Sequence, residues 1–135
     1  MSYLLDTNTC IGYLNRRNQN IFQNLTRRSP TDILLCDVVK FELYYGAYRS
    51  SRQQQNLARL ERFFDEFQSL PFAGESAIVC GHIRTQRESQ GTPIGAYDYL
   101  IAAIALAHNL TLVTHNTKEF NRVESLKVED WEIKL

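Results

Sequence analysis

Three short apolar runs, each ending beside a polar side chain, constrain the fold of this chain more than any other feature. The runs are Tyr3-Leu4-Leu5, Ile33-Leu34-Leu35-Cys36 and Thr111-Leu112-Val113-Thr114. Apolar runs of this length, bounded by polar residues, are typical of strands that are covered on both faces. Stretches with helical periodicity separate them, and that order predicts a parallel sheet with helices on both faces and right-handed crossovers.

The segments between these runs carry the signals of helices. Thr7, Asn8 and Thr9 are candidate caps for a helix that continues through Leu14. Asn109 suits a left-handed residue at the end of another helix. Apolar periodicity predicts the remaining helices at 18–28, 38–48, 53–68, 75–90 and 97–108, with short strands at 69–72 and 126–128. Together these signals predict a three-layer α/β/α sandwich around a mainly parallel sheet of four to five short strands, in one domain over residues 1–135.

One predicted helix carries an aromatic face. Val38, Phe41, Tyr45 and Tyr48 recur at helical spacing. Tyr44, Tyr45 and Tyr48 could stack unpaired bases, but this spacing more often marks a core or a dimer interface. Together with the stripe in residues 53–68, this face predicts enough apolar surface for both a core and a homodimer interface.

The charge balance excludes a general nucleic-acid coat protein. The chain has 15 lysines and arginines and 15 aspartates and glutamates, so its formal net charge is zero. A protein that coats nucleic acid without sequence preference needs a large positive excess. A nuclease is not excluded, because its positive charge can be local, as at Arg16-Arg17 or Arg27-Arg28.

The cysteines indicate a reduced compartment. Cys10, Cys36 and Cys80 are odd in number, far apart and without the spacing of a zinc site, so we expect reduced core residues. No apolar run reaches membrane-spanning length, and no signal peptide is evident before the first strand. We therefore expect a cytoplasmic protein that does not enter a membrane.

Several carboxylates and one amide are placed where the carboxyl ends of the strands should meet. Asp6 follows the first strand, Glu42 lies early in the helix after the second, and Asn116 lies just past the third. Functional crevices of parallel sheets lie beyond these strand ends. Asp98, in the first turn of a nearly all-apolar helix, has no strand directly before it and is assigned to the same place by its chemistry.

Two of these acids lie in strongly apolar surroundings. Glu42 is flanked by Phe41 and Leu43, and Asp98 precedes a run of leucine, isoleucine and alanine without a neighbouring lysine or arginine. Burying an unpaired carboxylate is costly, so each acid needs a partner. Converging carboxylates without a counter-cation are what Mg²⁺ or Mn²⁺ requires, and such an ion activates water for attack on a phosphodiester.

Each residue also has a purely structural interpretation. Asp6 and Asp37 could be helix caps, and Asp98 could interact only with the helix dipole. Glu42 could pair with an arginine such as Arg49 or Arg84. Asn116 with Glu119 three residues later resembles a capping box. His115 could contact RNA, but we expect it to face solvent.

Four segments together resemble the PIN-domain family, and within it the VapC-type toxins of bacterial toxin–antitoxin pairs. They span nearly the whole chain in family-like order: Tyr3-Leu4-Leu5-Asp6-Thr7-Asn8, Phe41-Glu42-Leu43-Tyr44-Tyr45-Gly46-Ala47, Gly91-Thr92-Pro93-Ile94-Gly95-Ala96-Tyr97-Asp98 and Thr114-His115-Asn116-Thr117-Lys118-Glu119-Phe120. The resemblance implies a PIN fold and an endoribonuclease that depends on Mg²⁺ or Mn²⁺. It also implies inhibition by a small VapB-like antitoxin, through which alone the toxin would meet DNA.

The resemblance also assigns roles to single residues. It makes Asp6, Glu42 and Asp98 metal ligands and places Asn116 where many members of the family carry a fourth catalytic aspartate. An asparagine ligates only as a neutral group, and Glu119 is the candidate to supply the missing charge. Three further residues are candidates to orient carboxylates or water: Thr7, Asn8 and Thr114.

Two other functions fit parts of the pattern. A phosphohydrolase could use Asp6 as an aspartyl nucleophile, but such enzymes usually have a second acid two residues later, where this chain has Asn8. A PIN-fold interaction protein without activity would explain the missing fourth aspartate. Metal binding distinguishes the inactive interaction protein from the nuclease, because Mg²⁺ or Mn²⁺ should stabilise the folded protein only if the carboxylate cluster binds it.

Overall fold

Five parallel strands form the centre of the molecule in the computed structural model, which describes residues 1–133. The strands are β1 (Tyr3–Leu5), β2 (Ile33–Cys36), β3 (Gln68–Leu70), β4 (Thr111–Val113) and β5 (Val128–Glu129). Their order in the sheet is β3-β2-β1-β4-β5, and every pair is parallel. This confirms the predicted parallel sheet, whose strand count lies within the expected range. Residues 134 and 135 of the expected domain lie outside the described residues.

Within residues 1–133, seven α-helices connect the strands and cover both faces of the sheet. Their bounds are α1 (Thr7–Leu14), α2 (Gln19–Thr26), α3 (Asp37–Arg49), α4 (Gln53–Glu66), α5 (Glu75–Ser89), α6 (Ala96–Ala107) and α7 (Thr117–Phe120). Adjacent residues Leu4 and Leu5 of β1 point to opposite faces, and both are fully buried. The sheet is therefore the middle layer of the predicted three-layer sandwich. Among residues 1–133, no helix has the length and apolar character that a membrane span requires.

The most apolar helix is buried, as its composition predicts. Ile101, Ala102, Ala103, Ile104 and Ala105 of α6 are all 1% exposed or less. After this helix Asn109 adopts a left-handed backbone with φ of 55°, and the next amide donates to the Ala105 carbonyl at 2.8 Å. The predicted C-terminal end of α6 is thus confirmed.

The prediction of Thr7, Asn8 or Thr9 as the cap of α1 is wrong, and so is that of Asp37 as the cap of α3, whereas the alternative cap Asp6 is confirmed. The N-cap of α1 is Asp6, whose carboxylate accepts a hydrogen bond from the Thr9 amide at 2.9 Å, and Thr7 is already helical. Asp37 is the first residue of α3 rather than its cap, and its carboxylate accepts a hydrogen bond from the Ser69 hydroxyl at 2.6 Å. That bond ties the start of α3 to the edge strand β3.

The aromatic face of α3 does not lie in the core. Phe41, Tyr45 and Tyr48 are 47%, 55% and 60% exposed. The opposite side of the helix is buried, with Val39 and Leu43 among its residues. Small and aliphatic side chains let α3 pack closely on its neighbours, and three of its aromatic rings, those of Phe41, Tyr45 and Tyr48, are left on the outside.

Candidate active site

Asp6 lies at the carboxyl end of the central strand β1. Its backbone amide donates to the Val113 carbonyl of β4 at 3.0 Å, and its buried carboxylate caps α1 through Thr9. Burial raises the pKa of Asp6, although hydrogen bonds from Thr114 and Thr9 oppose the shift. Asp6 therefore does cap α1, as the structural alternative predicts. Its burial in addition gives the carboxylate the raised pKa of a site residue.

Glu42 is held beside Asp6 by the first residue of α1. The Thr7 hydroxyl donates to Glu42 Oε1 at 2.6 Å, across 35 positions of sequence. The alternative pairing of Glu42 with an arginine is wrong. Arg49 donates to the Tyr45 hydroxyl, and Arg84 forms its ion pair with Glu88.

Asp98 completes the group of acids at the start of α6. One of its carboxylate oxygens, Oδ2, lies 3.1 Å from where a Cβ on Gly95 would stand, so the carboxylate folds back over the loop before the helix. The pKa of Asp98 is raised to about 6, first by burial and then by the charges of Glu119, Asp6 and Glu42. These charges act on Asp98 only because the acids predicted from separate parts of the chain share one site.

Asn116 and Glu119 form a pair at the edge of this site. The Asn116 amide nitrogen Nδ2 donates to Glu119 Oε2 at 2.5 Å, and its backbone amide donates to the Thr114 hydroxyl at 3.0 Å. The predicted capping box is wrong, because the Asn116 side chain makes no capping bond to α7. Asn8 is exposed and makes no side-chain hydrogen bond within residues 1–133, unlike the neighbouring Thr7.

The donor set fits a hard divalent cation. It consists of carboxylate and amide oxygens, and within residues 1–133 no lysine or arginine nitrogen lies within 4.0 Å of these carboxylates. The carboxylate oxygens of Asp6, Glu42, Asp98 and Glu119 lie further apart than the ligands of one bound ion, since no three of these acids have ligand atoms within 4.8 Å of one another. Like charges repel, and a cation of the Mg²⁺ or Mn²⁺ type is what would offset that repulsion.

The sequence did not reveal a second cluster close to this site. His115 lies 2.9 Å from Asp130 and 3.6 Å from Glu132, measured from Nδ1 to the nearest carboxylate oxygens. His115 faces solvent, as expected, but its partners follow β5 and meet it only because β4 and β5 pair. No sequence spacing signals that pairing. The expected last strand at 126–128 also ended before Asp130 and Glu132.

Comparison with known proteins agrees with this architecture. A family model described as "PIN domain" matches residues 3–126. "Ribonuclease VapC2" from Rickettsia felis is 36% identical over 98% of this chain and 99% of its own length. "tRNA(fMet)-specific endonuclease VapC" from Salmonella typhimurium is 34% identical over 97% of this chain and 98% of its own length.

A solved structure extends the likeness to three dimensions. The crystal structure of VapBC2 from Rickettsia felis, bound to a DNA fragment from its promoter, superposes with a TM-score of 0.90 at 36% identity. The match covers 97% of this chain and 99% of the matched one. The chain therefore belongs to the PIN-domain family, in its VapC-type group.

Proposed function

We propose that this protein is an endoribonuclease that depends on Mg²⁺ or Mn²⁺ and acts as the toxin of a bacterial type II toxin–antitoxin pair. The observation that carries the proposal is that the segments bearing Asp6 and Glu42 follow neighbouring strands and meet at the Thr7–Glu42 hydrogen bond, where their charges and that of Glu119 add to the effect of burial in raising the pKa of Asp98. Relatives that match nearly the whole chain are named as ribonucleases or as a transfer-RNA endonuclease. Metal-dependent cleavage of RNA needs a cluster of acids of this kind to hold the ion.

The residues of the site would divide the work of holding the ion. Asp6, Glu42 and Asp98 are the proposed ligands, and the hydroxyls of Thr7 and Thr114 hold two of them in place. When bound, the divalent ion lowers the pKa of a water molecule and neutralises negative charge on the scissile phosphodiester. Preformed hydrogen bonds reduce the rearrangement that the carboxylates need in order to bind.

Asn116 and Glu119 act as one unit in this proposal. Because Asn116 Nδ2 donates to Glu119, the asparagine is oriented with its amide nitrogen toward the acid. Glu119 also contributes to the field at Asp98. We propose that Glu119 supplies the charge that a fourth aspartate supplies in many PIN domains, while Asn116 orients it.

Cleavage of RNA tests the proposal. Initiator transfer RNA is the first substrate to use, because a 34% identical relative is named for it. We expect cleavage with Mg²⁺ or Mn²⁺, none after chelation, and none for Asp6→Asn or Asp98→Asn. Glu88→Gln, in a surface ion pair on α5, is the control that should keep activity. Metal-dependent cleavage that survives both aspartate substitutions would exclude the assigned site.

We also propose a VapB-like antitoxin as partner, with DNA bound only through it, and a homodimer of the toxin. The solved relative from Rickettsia felis is a toxin–antitoxin complex on promoter DNA. The exposed aromatic face of α3, at Phe41, Tyr45 and Tyr48, is the surface we assign to the homodimer. Sedimentation of the isolated toxin as a monomer only, at micromolar concentration, would contradict the dimer.

A function as an aspartyl-nucleophile phosphohydrolase is not favoured. The carboxylate of Asp6 is buried, and one of its oxygens already caps α1. Asn8 stands where such enzymes usually carry a second acid. An inactive interaction protein is the competing function, and a melting temperature unchanged by millimolar Mg²⁺ or Mn²⁺ would favour it.

A further inference from the structure

His115, Asp130 and Glu132 form a compact group outside the Asp6 site. His115 follows β4, and the two acids follow β5, whose register pairs Val113 with Glu129. His115 Nδ1 lies 2.9 Å from Asp130 Oδ2 and 3.6 Å from Glu132 Oε2. Within residues 1–133 it is the only group of three such side chains with ligand atoms all within 4.8 Å.

The two acids project from an anchored turn. Between them Trp131 is buried and packs against Tyr3, with ring centroids 5.1 Å apart. Asp130 Oδ1 accepts the Glu132 amide at 2.9 Å, and the Glu132 carbonyl accepts the Asn20 side chain at 3.0 Å. One Asp130 oxygen is thus used within the turn, and the other, Oδ2, is directed at His115.

The group carries uncompensated negative charge. The Asp130 side chain is only 8% exposed, and within residues 1–133 no lysine or arginine nitrogen lies within 4.0 Å of either acid. The hydrogen bond with Asp130, followed by the charge of Glu132, raises the pKa of His115. A field that favours a proton on the imidazole also favours a metal cation in its place.

The group needs only a small rearrangement to hold a small transition-metal ion. Zinc binds imidazole nitrogen and carboxylate oxygen at about 2.0–2.2 Å, so tetrahedral ligand atoms lie roughly 3.3–3.6 Å apart. The 3.6 Å from His115 Nδ1 to Glu132 lies in that range, whereas the 2.9 Å to Asp130 is a hydrogen-bond distance that would lengthen by about 0.4 Å on metal binding. An imidazole ligand favours zinc and similar ions over Mg²⁺, whose preferred ligands are oxygens.

We propose that His115, Asp130 and Glu132 form a binding site for a transition-metal ion of the Zn²⁺ type, distinct from the Asp6, Glu42 and Asp98 cluster. Three protein ligands leave a fourth position for water, and the His115 side chain is 65% exposed to solvent. A bound ion would fasten the turn after β5 to the segment between β4 and α7.

Calorimetric titration with Zn²⁺ tests the proposal. Excess Mg²⁺ is present throughout, and the background variant is Asp98→Asn, so that the carboxylate cluster does not contribute. We expect one Zn²⁺ per chain, bound roughly ten-fold or more weakly after His115→Ala or Glu132→Gln. His82→Ala is the matched control, because His82 is an exposed histidine on α5 outside the group. Its affinity should be unchanged.

Nitrogen NMR of the histidine rings identifies the ligand directly. Zinc should shift the ring nitrogens of His115 and leave those of His82 unchanged, and thermal unfolding in EDTA shows whether each variant still folds. Zinc that binds the His115→Ala variant as tightly as its parent, or no binding by the parent, would overturn the proposal. Neither result bears on cleavage with Mg²⁺, so the proposed ribonuclease function stands or falls separately.

Discussion

At the scale of single residues, Asp98 is the group on which the other acids act most clearly. Its pKa rises to about 6, with burial as the first cause and the charges of Glu119, Asp6 and Glu42 after it. Without a cation, the ionised form of Asp98 is therefore disfavoured in the folded protein. The same arrangement that prepares the site for a metal ion makes the metal-free protein less stable.

Replacing Asp98 by asparagine should stabilise the metal-free protein. A pKa raised above the ordinary 3.8 gives stability that is complete below that value and lost as pH rises through about 6. At pH 8 in EDTA we expect Asp98→Asn to gain on the order of 1 kcal/mol, after allowance for solvent screening. Thermal unfolding should show a melting temperature about 4 °C higher.

The pH dependence supplies the control for this substitution. As the pH falls from 8 towards 4, the advantage of Asp98→Asn over the wild type should shrink, because protonation removes the charge from the wild type as well. Added Mg²⁺ should stabilise the wild type and have little effect on the variant. Equal stability of the two proteins at pH 8 in EDTA would show that Asp98 is not in a strongly negative field.

Thr7 is a positioning residue for Glu42, to which it donates at 2.6 Å. We expect Thr7→Val to lower kcat about ten-fold by releasing Glu42, and to weaken Mg²⁺ binding on a similar scale. Thr7→Ser keeps the hydroxyl and should restore both. Thr85→Val, which removes a hydroxyl bonded within α5, is the control for general effects. Full activity of Thr7→Val with normal Mg²⁺ affinity would contradict this role.

At the scale of elements, Asp6 lies between β1 and α1 and has two roles, as the N-cap of α1 and as a proposed metal ligand. Asn caps a helix about as well as Asp, whereas Ala costs about 1 kcal/mol. Both Asp6→Asn and Asp6→Ala remove the charge, so their difference in unfolding free energy isolates the cap formed with Thr9. We expect Asp6→Ala to be less stable by about 1–2 kcal/mol in urea unfolding, with both variants inactive.

Equal stability of the two Asp6 variants would mean that α1 does not depend on this cap. Retained cleavage by either one would separate Asp6 from the chemistry. The pair therefore tests the two roles of one carboxylate independently, with unfolding as one readout and RNA cleavage as the other.

The elements that the sequence predicts best are those with one dominant signal. Short apolar runs become β1, β2 and β4 because both of their faces are covered, and an all-apolar segment becomes the buried α6. The face of α3 was not predictable in this way. Residues at Val39, Leu43 and Ala47 recur as regularly as the aromatic ones, and only close packing decides which side faces the core.

At the scale of the whole molecule, strand order explains why the acids meet. The sheet places β2, β1 and β4 side by side, so the segments after their carboxyl ends are neighbours. Asp6 and Asn116 were predicted there from topology, and Glu42 from the helix after β2. Asp98 could be assigned only by its chemistry, because α6 follows no strand. The contact of His115 with the residues after β5 could not be predicted from the sequence, because it depends on the pairing of β4 with β5.

A crystal of the protein soaked in Mn²⁺ gives the most direct test, because manganese can be located by its anomalous scattering. We expect a manganese peak within coordination distance of the carboxylates of Asp6 and Asp98, with Glu42 bound directly or through water. A peak absent from this site in a crystal that reaches full manganese occupancy elsewhere would contradict the account. So would carboxyl groups of Asp6, Glu42 and Asp98 that lie on separate surfaces.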